Sequence, residues 1–268
     1  MSRLAIVIVS FNARDDLARC LASLRAAPPA IAHEVVVVDN ASSDGSAEAA
    51  AAAPGVRLIA LPANVGFAAA NNTGIRATSG DFVLLLNSDT VVPPGAIDGL
   101  VAALTAAPEA AAAGPRLVDE AGRPELSFGA MVSPLAEWRQ KRIQAAAARG
   151  DRSALDAIEA RTRRAGRPDW VSGACLLVRR SDADAVGLLD ERYFMYLEDV
   201  DFCAALRARG RRIVFTPDVT VTHLRGRSRQ SAPAATNRHY RDSHRAFYAK
   251  HHPRWAPLLE LYLRLKGA

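Results

Sequence analysis

Four apolar runs, LAIVIVS (4–10), EVVVVD (34–39), VRLIAL (56–61) and FVLLLN (82–87), are each followed by a stretch of helical character. The runs are continuous and rich in β-branched residues, as strands buried on both faces require. Between them, residues 13–27 place Leu17, Cys20, Leu21 and Leu24 at helical intervals before Pro28-Pro29. Residues 43–53 form a short helical segment ended by Pro54, a third begins near Gly66 and reaches about Thr78, and a fourth follows Pro93-Pro94 and reaches Ala107. Strand and helix alternating through short loops imply a mostly parallel sheet with helices on both faces. In such sheets ligands lie outside the carboxyl ends of the strands. Ser10, Asn12, Asp39 and Asn87 to Asp89 therefore fall along one rim.

The second half is less regular. Residues 125–168 read as helical, and the polyalanine stretches read as helix of high propensity. VSGACLLVRR (171–180) reads as a strand, EDVDFCAALRARG (198–210) as an amphipathic helix, and RRIVF and VTVTH as two short strands. At 268 residues the chain fits one large α/β domain or a domain with a subsidiary lobe. Its N-terminal apolar run lacks a small-residue cleavage site and reads as a first strand. Cys20, Cys175 and Cys203 form no zinc pattern and read as small buried hydrophobes in a reducing cytosol.

Charge is unevenly placed. From Arg225 onward ten Arg and Lys face two acids, a local +8 against +6 for the whole chain, so the first 224 residues carry about −2. A basic tail suits an anionic partner.

The stretch FVLLLNSDT ends a buried run on Asn87, Ser88 and Asp89. These residues favour turns, but three strand ends carrying polar groups on one edge point to a site. No G-x-G-x-x-G follows the first strand and no G-x-x-x-x-G-K-[ST] is present. A nucleotide's phosphates must then be neutralised otherwise, most simply by a divalent cation on carboxylate oxygen. Asp89 supplies one ligand and His223, closing VTVTH, a second; imidazole with oxygen donors suits Mn²⁺ or Mg²⁺. Taken alone, His223 would be an ordinary surface histidine. YLEDVDFC clusters Glu198, Asp199 and Asp201 at a helix start, behind Tyr193, Phe194 and Tyr196. Helix capping accounts for one or two such acids, and the aromatics suit a core; together they also suit a site where a carboxylate abstracts a proton.

The motifs VIVSFN, VVVVDNASSDGS, NVGFAAANN, LLLNSD, WVSGACLLVRR, FMYLEDVDFCAALRARG and VTH stand in an order that resembles the family 2 glycosyltransferases of GT-A fold, over about residues 4–225. NVGFAAANN and EDVDFC look most like bacterial rhamnosyltransferases that build O-antigen or other cell-wall glycans. The resemblance implies a nucleotide-sugar-binding part over 1–118, an acceptor-binding and catalytic part over 119–224, and a basic helical tail over 225–268. Asp39 would accept the base N3–H beside Ser10 and Asn12. Asn64, Gly66, Asn71 and Asn72 would line the nucleotide. The NSD triplet stands for the family's D-x-D, with Asn87 toward the ribose and Asp89 on a divalent metal (Mn or Mg) completed by His223. Asp199 would be the catalytic base. Trp170, Gly173, Glu198 and Asp201 would serve the acceptor.

The implied reaction is inverting transfer from a nucleoside diphosphate sugar to a glycan or polyprenyl-linked hydroxyl. dTDP-rhamnose is the favoured donor, and GDP-mannose, UDP-hexoses and UDP-galactofuranose stay open. A nucleotidyltransferase of similar sheet would need a basic, Gly-rich triphosphate loop, which SFNARDD does not offer; a non-catalytic sugar-binding protein would not need the clustered acids. The implied location is cytoplasmic, at the inner face of the membrane. For residues 238–268 two readings stand: a helix packed on the domain, or a basic and aromatic contact with an anionic membrane. Pro253 and Pro257 divide this segment into two helical pieces. No nucleic-acid-binding motif accompanies it.

Overall fold

The computed structural model describes residues 2–224 and 233–265. Its strands are β1 (Arg3–Ser10), β2 (Ala32–Asp39), β3 (Val56–Ala60), β4 (Phe82–Asn87), β5 (Thr90–Val91), β6 (Ala110–Val118), β7 (Phe128–Gly129), β8 (Trp170–Val171), β9 (Cys175–Arg179) and β10 (Arg212–His223). The helices are α1 (Arg14–Ala26), α2 (Ser46–Ala51), α3 (Phe67–Arg76), α4 (Ala96–Thr105), α5 (Pro134–Ala148), α6 (Arg152–Thr162), α7 (Arg180–Ala185), α8 (Glu198–Ala208), α9 (Pro233–His251) and α10 (Ala256–Leu265).

Eight strands form one sheet in the order β3-β2-β1-β4-β9-β6-β10-β5, and β7 and β8 form a separate pair. The β3-β2-β1-β4 half is parallel, as the strand–helix alternation requires. β9 runs antiparallel to both β4 and β6. Side chains alternate across the sheet. Leu4, Ile6 and Ile8 join Leu84 and Leu86 beneath α1 and α4, while Val7, Val83 and Leu85 join the opposite core with Phe202 and Phe215.

Three expectations are corrected here. Ala110–Ala113 is not helix filler but the fully buried start of β6 between β9 and β10. Tertiary pairing overrides alanine's helix propensity there. The 171–180 run is interrupted: Ser172, Gly173 and Ala174 separate β8 from β9 and lie at the sheet's carboxyl rim. RRIVF and VTVTH are one strand, β10, whose register shifts between Thr216 and Thr220, around Pro217. Within 125–168 the helical reading holds for α5 and α6, with β7 preceding them.

The C-terminal piece breaks at the prolines, as expected, into α9 and α10. α9 is packed on the domain: Phe247 and Tyr248 are buried in the second core, beside Phe202 and Tyr193. Four of the tail's ten cations, Arg225, Arg227, Arg229 and Lys266, lie outside the described residues. Among the described residues no helix is long and apolar enough to cross a membrane.

Gly74 lets α3 pack close against the sheet: a Cβ there would lie 2.4 Å from Val7 Cγ1 and 3.1 Å from Val38 Cγ2. Both neighbours are stiff, β-branched side chains on central strands. Gly74→Val should therefore destabilise the fold by about 1–3 kcal/mol. The check is a lowered denaturant midpoint with an unchanged slope.

Candidate active site

Ser10 and Asp39 are register partners at the ends of β1 and β2. Asp39 Oδ2 accepts the Ser42 N–H at 2.9 Å, while Asp39 Oδ1 and Ser10 Oγ are buried with no hydrogen-bond partner. An unpaired buried acceptor costs about 1–3 kcal/mol, so two side by side mark a place for a ligand's donor. Asn12, left-handed at φ 49, accepts from Ser43 N–H at 2.8 Å and so ties the β1–α1 loop to the β2–α2 loop.

Asn40, which sequence reasoning passed over, holds the next segment in place. Its backbone N–H donates to Ser10 O; its side chain donates to Asn64 Oδ1 (2.8 Å) and Gly66 O (3.3 Å) and accepts from Val65 N–H (2.9 Å). The one signal in the sequence was its place directly after Asp39. Asn64 Oδ1 also accepts the Gly66 N–H. Gly66 has φ +88, and a Cβ there would meet the Phe194 carbonyl oxygen at 2.6 Å. Only glycine satisfies both conditions. The neighbouring Phe67 N–H donates to that same carbonyl at 2.6 Å, joining the Asn64–Gly66 loop to the segment leading into α8.

The two asparagines of α3 do not point the same way into the crevice. Asn71 is buried, and its amide donates to Phe67 O within its own helix. Asn72 is turned toward Leu189 and Glu191, exchanging hydrogen bonds of 2.8–3.0 Å with them.

Asp89 and His223 are brought together by pairing of β5 with β10, which sets His223 opposite Thr90, and by the Leu224 N–H donating to Asp89 O. His223 Nε2 lies 3.2 Å from Asp89 Oδ1 and Nδ1 lies 3.3 Å from Glu125 Oε2. Burial lowers the imidazole's pKa, but hydrogen bonds and charge from Asp89 and Glu125 outweigh it and push the pKa up to about 9. Glu125 is a second residue that sequence reasoning missed; its segment carries no periodic signal. A carboxylate on the far ring nitrogen is how a metal-binding histidine is normally oriented. Asn87 Oδ1, buried and without a partner, belongs to the same group, its amide nitrogen 3.5 Å from His223 Nε2.

Among the described residues no three His, Cys, Asp or Glu side chains converge on one ion position. Asp89 oxygen and the Nε2 of a deprotonated His223 still fit a divalent cation whose remaining ligands are phosphate oxygens, the usual arrangement at nucleotide sites.

Asp199 sits in the first turn of α8. Its Oδ2 accepts the Gly173 N–H at 2.8 Å and its Oδ1 the Val200 N–H at 2.8 Å. Burial raises its pKa above the ordinary aspartate value, with the backbone donors opposing. Glu198 beside it is pushed well up by burial and by the charge of Asp199, and its Oε2 is buried without a partner. The entry to α8 is built from two consecutive left-handed residues, Tyr196 (φ 73) and Leu197 (φ 67). Such positions cost on the order of 1–3 kcal/mol each and cluster at functional sites.

Trp170 and Asp201 are placed elsewhere than in the crevice. Trp170 is buried in β8, its indole N–H donating to Ala130 O at 2.9 Å. Asp201, 2% exposed, accepts from Tyr193 Oη, from Lys250 Nζ at 2.8 Å and from His251 Nε2 at 2.6 Å, so it fastens α9 to α8.

The histidine between two carboxylates predicts a pH dependence in metal-free protein. Its folded pKa is raised from 6.5 to about 9, so its contribution to stability is complete below about 6.5 and is lost as pH rises through about 9. Melting temperature should fall over that interval, and Glu125→Gln should flatten the fall.

A sequence profile of "Glycosyl transferase family 2" matches residues 5–157, and one of "Glycosyl transferase family group 2" matches residues 82–262. The N-acetylglucosaminyl-diphospho-decaprenol L-rhamnosyltransferase of Mycobacterium tuberculosis is 35% identical over 277 aligned residues, covering 95% of this chain and 87% of that protein. Rhamnosyltransferase WbbL of Escherichia coli is 42% identical over 55 residues, 20% of this chain and 21% of its own. Among solved structures, the mannosyltransferase PcManGT from Pyrobaculum calidifontis in complex with GDP-Man and Mn²⁺ superposes with a TM-score of 0.62 at 18% identity, over 97% of this chain and 68% of its own. At that identity the likeness is one of fold.

Proposed function

The chain belongs to glycosyl transferase family 2, and on that footing we propose that it transfers rhamnose from a nucleoside diphosphate donor, dTDP-rhamnose, to a hydroxyl of a lipid-linked glycan in cell-surface polysaccharide synthesis. The sugar and the acceptor class follow the rhamnosyltransferase that is 35% identical over nearly the whole chain. The observation that carries the mechanism is a dipeptide. Gly173 N–H donates to Asp199, and the carbonyl of the next residue, Ala174, accepts the Asn87 N–H at 2.9 Å. The carboxylate that would act as base and the triplet that would face the diphosphate are therefore attached to adjacent residues.

In this reading, residues 1–118 bind the nucleotide sugar, residues 119–224 bind the acceptor and carry the base, and 225–268 are the basic tail, whose described part is α9 and α10. The unpaired Asp39 Oδ1 accepts the N3–H of a pyrimidine, and the Ser10 hydroxyl donates to a neighbouring carbonyl oxygen of the base. Asn12, Asn64 and Gly66 shape the wall along the nucleotide, and Asn71 holds the first turns of α3 behind it. Asn87 turns its free oxygen to a ribose hydroxyl. Asp89 and His223 hold a divalent cation, Mn²⁺ or Mg²⁺, which when bound offsets charge on the leaving diphosphate.

Asp199 takes the proton of the acceptor hydroxyl as that oxygen forms its bond to the anomeric carbon, in one displacement with inversion. Burial raises its pKa above the ordinary aspartate value, which makes it a stronger base, and Gly173 N–H fixes the orientation of the carboxylate. Burial and the charge of Asp199 favour the protonated form of Glu198, and in that form it can donate to an acceptor oxygen. Asp201 acts as a positioning residue through α9, and Trp170 through the packing of β8.

Two variants test these assignments. Asp199→Asn should retain donor binding and lose turnover by about 10²–10⁴-fold, measured as rhamnosyl transfer to a short-chain lipid acceptor. Wild-type turnover by that variant would remove Asp199 as base. Asp89→Ala should fold normally and abolish transfer together with metal-dependent nucleoside diphosphate binding, read by calorimetry with and without chelator. Undiminished binding there would remove the metal assignment.

A further inference from the structure

Six of the large apolar side chains that stand most open to water lie on two elements of the second half: Leu135 and Trp138 on α5, and Trp255, Leu258, Leu261 and Tyr262 on and before α10, each about half exposed. On α10 the arrangement is the reverse of an ordinary surface helix. Ala256 and Leu259 pack on the second core. Its charges, Glu260 and Arg264, pair with each other at 3.2 Å, and Glu260 also pairs with Arg245 of α9 at 2.8 Å. Leu258, Leu261 and Tyr262, spaced as i, i+3 and i+4, fall on the face turned away from that core. A helix that is apolar on both faces is normally covered on both.

α5 belongs to the same corner of the molecule. His252 Nε2 donates to Val132 O at 2.6 Å, three residues before Leu135 on one side and three before Trp255 on the other. His244 and Tyr248 of α9 meet Glu137 of α5 at 2.7 and 3.2 Å. The exposed residues Arg139, Arg142 and Arg254 flank the two tryptophans, with the Arg142 guanidinium 4.7 Å from the Trp138 ring centroid. By contrast, the cations of α9 are largely engaged within the protein: Lys250 with Asp190 and Asp201, Arg245 with Asp242 and Glu260, and Arg238 with Asp242.

We infer that Leu135, Trp138, Trp255, Leu258, Leu261 and Tyr262 form one apolar rim that inserts into the interface of an anionic phospholipid bilayer. Arg139, Arg142 and Arg254 meet its phosphates. Tryptophan and tyrosine seat at headgroup level, leucine enters the acyl boundary, and arginine adds attraction to anionic lipid. The attachment is thus made by the apolar face of α10 with α5, and α9 serves as the support that holds both against the catalytic helix α8. This rests on the reading that the acceptor is lipid-linked, and it explains how a chain whose described helices are too short or too polar to cross a membrane would reach such a substrate.

The experiment uses the full-length chain with vesicles of phosphatidylcholine alone or with about one-third phosphatidylglycerol, without donor or acceptor. Co-sedimentation with the anionic vesicles is expected, weakened but not abolished by high salt, because apolar contact is not screened. Leu258→Glu/Leu261→Glu should reduce that binding at least tenfold with an unchanged melting temperature, and should still glycosylate a water-soluble acceptor analogue. The inference is overturned by absence of binding to anionic vesicles, by complete loss of binding at high salt, or by wild-type binding of the double variant. It is equally overturned if the wild type is a dimer that the double variant splits, since the face would then belong to a second copy. Because binding is read without sugar transfer, failure here leaves the acceptor reading to its own test.

Discussion

The hydrogen bond from Asn87 N–H to Ala174 O, 2.9 Å long, joins the two halves of this molecule where its chemistry would take place. It continues the β4–β9 ladder by one residue beyond the register pair Leu86–Cys175. On one side of it the chain runs through Asn87 and Ser88 to Asp89. On the other it turns through Gly173 toward Asp199. A strand antiparallel to β4 is needed to bring this about, because only then does the start of β9 lie beside the carboxyl end of β4. Had β9 been added parallel, its beginning would lie at the opposite edge of the sheet, a strand's length from Asp89.

Around this junction the loops are held by buried polar side chains rather than by apolar packing. Asn40 binds the ends of β1 and the Asn64–Gly66 turn, and Phe67 and Gly66 press against Phe194. Asp201 draws Tyr193, Lys250 and His251 onto the far side of α8. These bonds are directional, so they fix loop geometry more narrowly than apolar contacts of the same area would. The unpaired oxygens of Asp39, Asn87 and Glu198 lie inside that rigid frame, which is where a preorganised site keeps its unmet hydrogen bonds. The strained entry to α8 at Tyr196 and Leu197 is supported from both sides, by the Phe67 contact and by Ser243 of α9, whose hydroxyl donates to Met195 O at 2.7 Å.

The tail takes its meaning from that support. In the sequence, residues 238–268 offered charge and aromatic side chains without a way to tell packing from attachment. In the structure, burial and outward-facing apolar side chains fall on two different helices. α9 buries Phe247 and Tyr248 and pairs Lys250 with Asp190 and Asp201 of the domain, whereas α10 leaves leucine and tyrosine facing outward. Deleting the whole segment would therefore strip the core as well as the rim, which is why substitutions on α10 alone address attachment.

Much of the parallel half was legible in the chain itself. Buried strands of a parallel sheet must be continuously apolar, and LAIVIVS, EVVVVD and FVLLLN are. The polar residues that end them had to lie on one rim because parallel strands share a direction, so the sequence alone groups Ser10, Asp39 and Asp89. Motif order carried the family. What the sequence could not decide was long-range: that Ala110–Ala113 would be a central strand, since alanine's local preference is helical and only the close neighbours β9 and β10 select the extended form. Nor could it reveal that Glu125 stands behind His223, that Asn72 and Asp201 turn away from the crevice, or that Asn40 ties the end of β1 to the Asn64–Gly66 loop. Each of those depends on which residues distant in the chain become neighbours, and side-chain direction at a loop or helix terminus is set by those partners rather than by any period in the sequence.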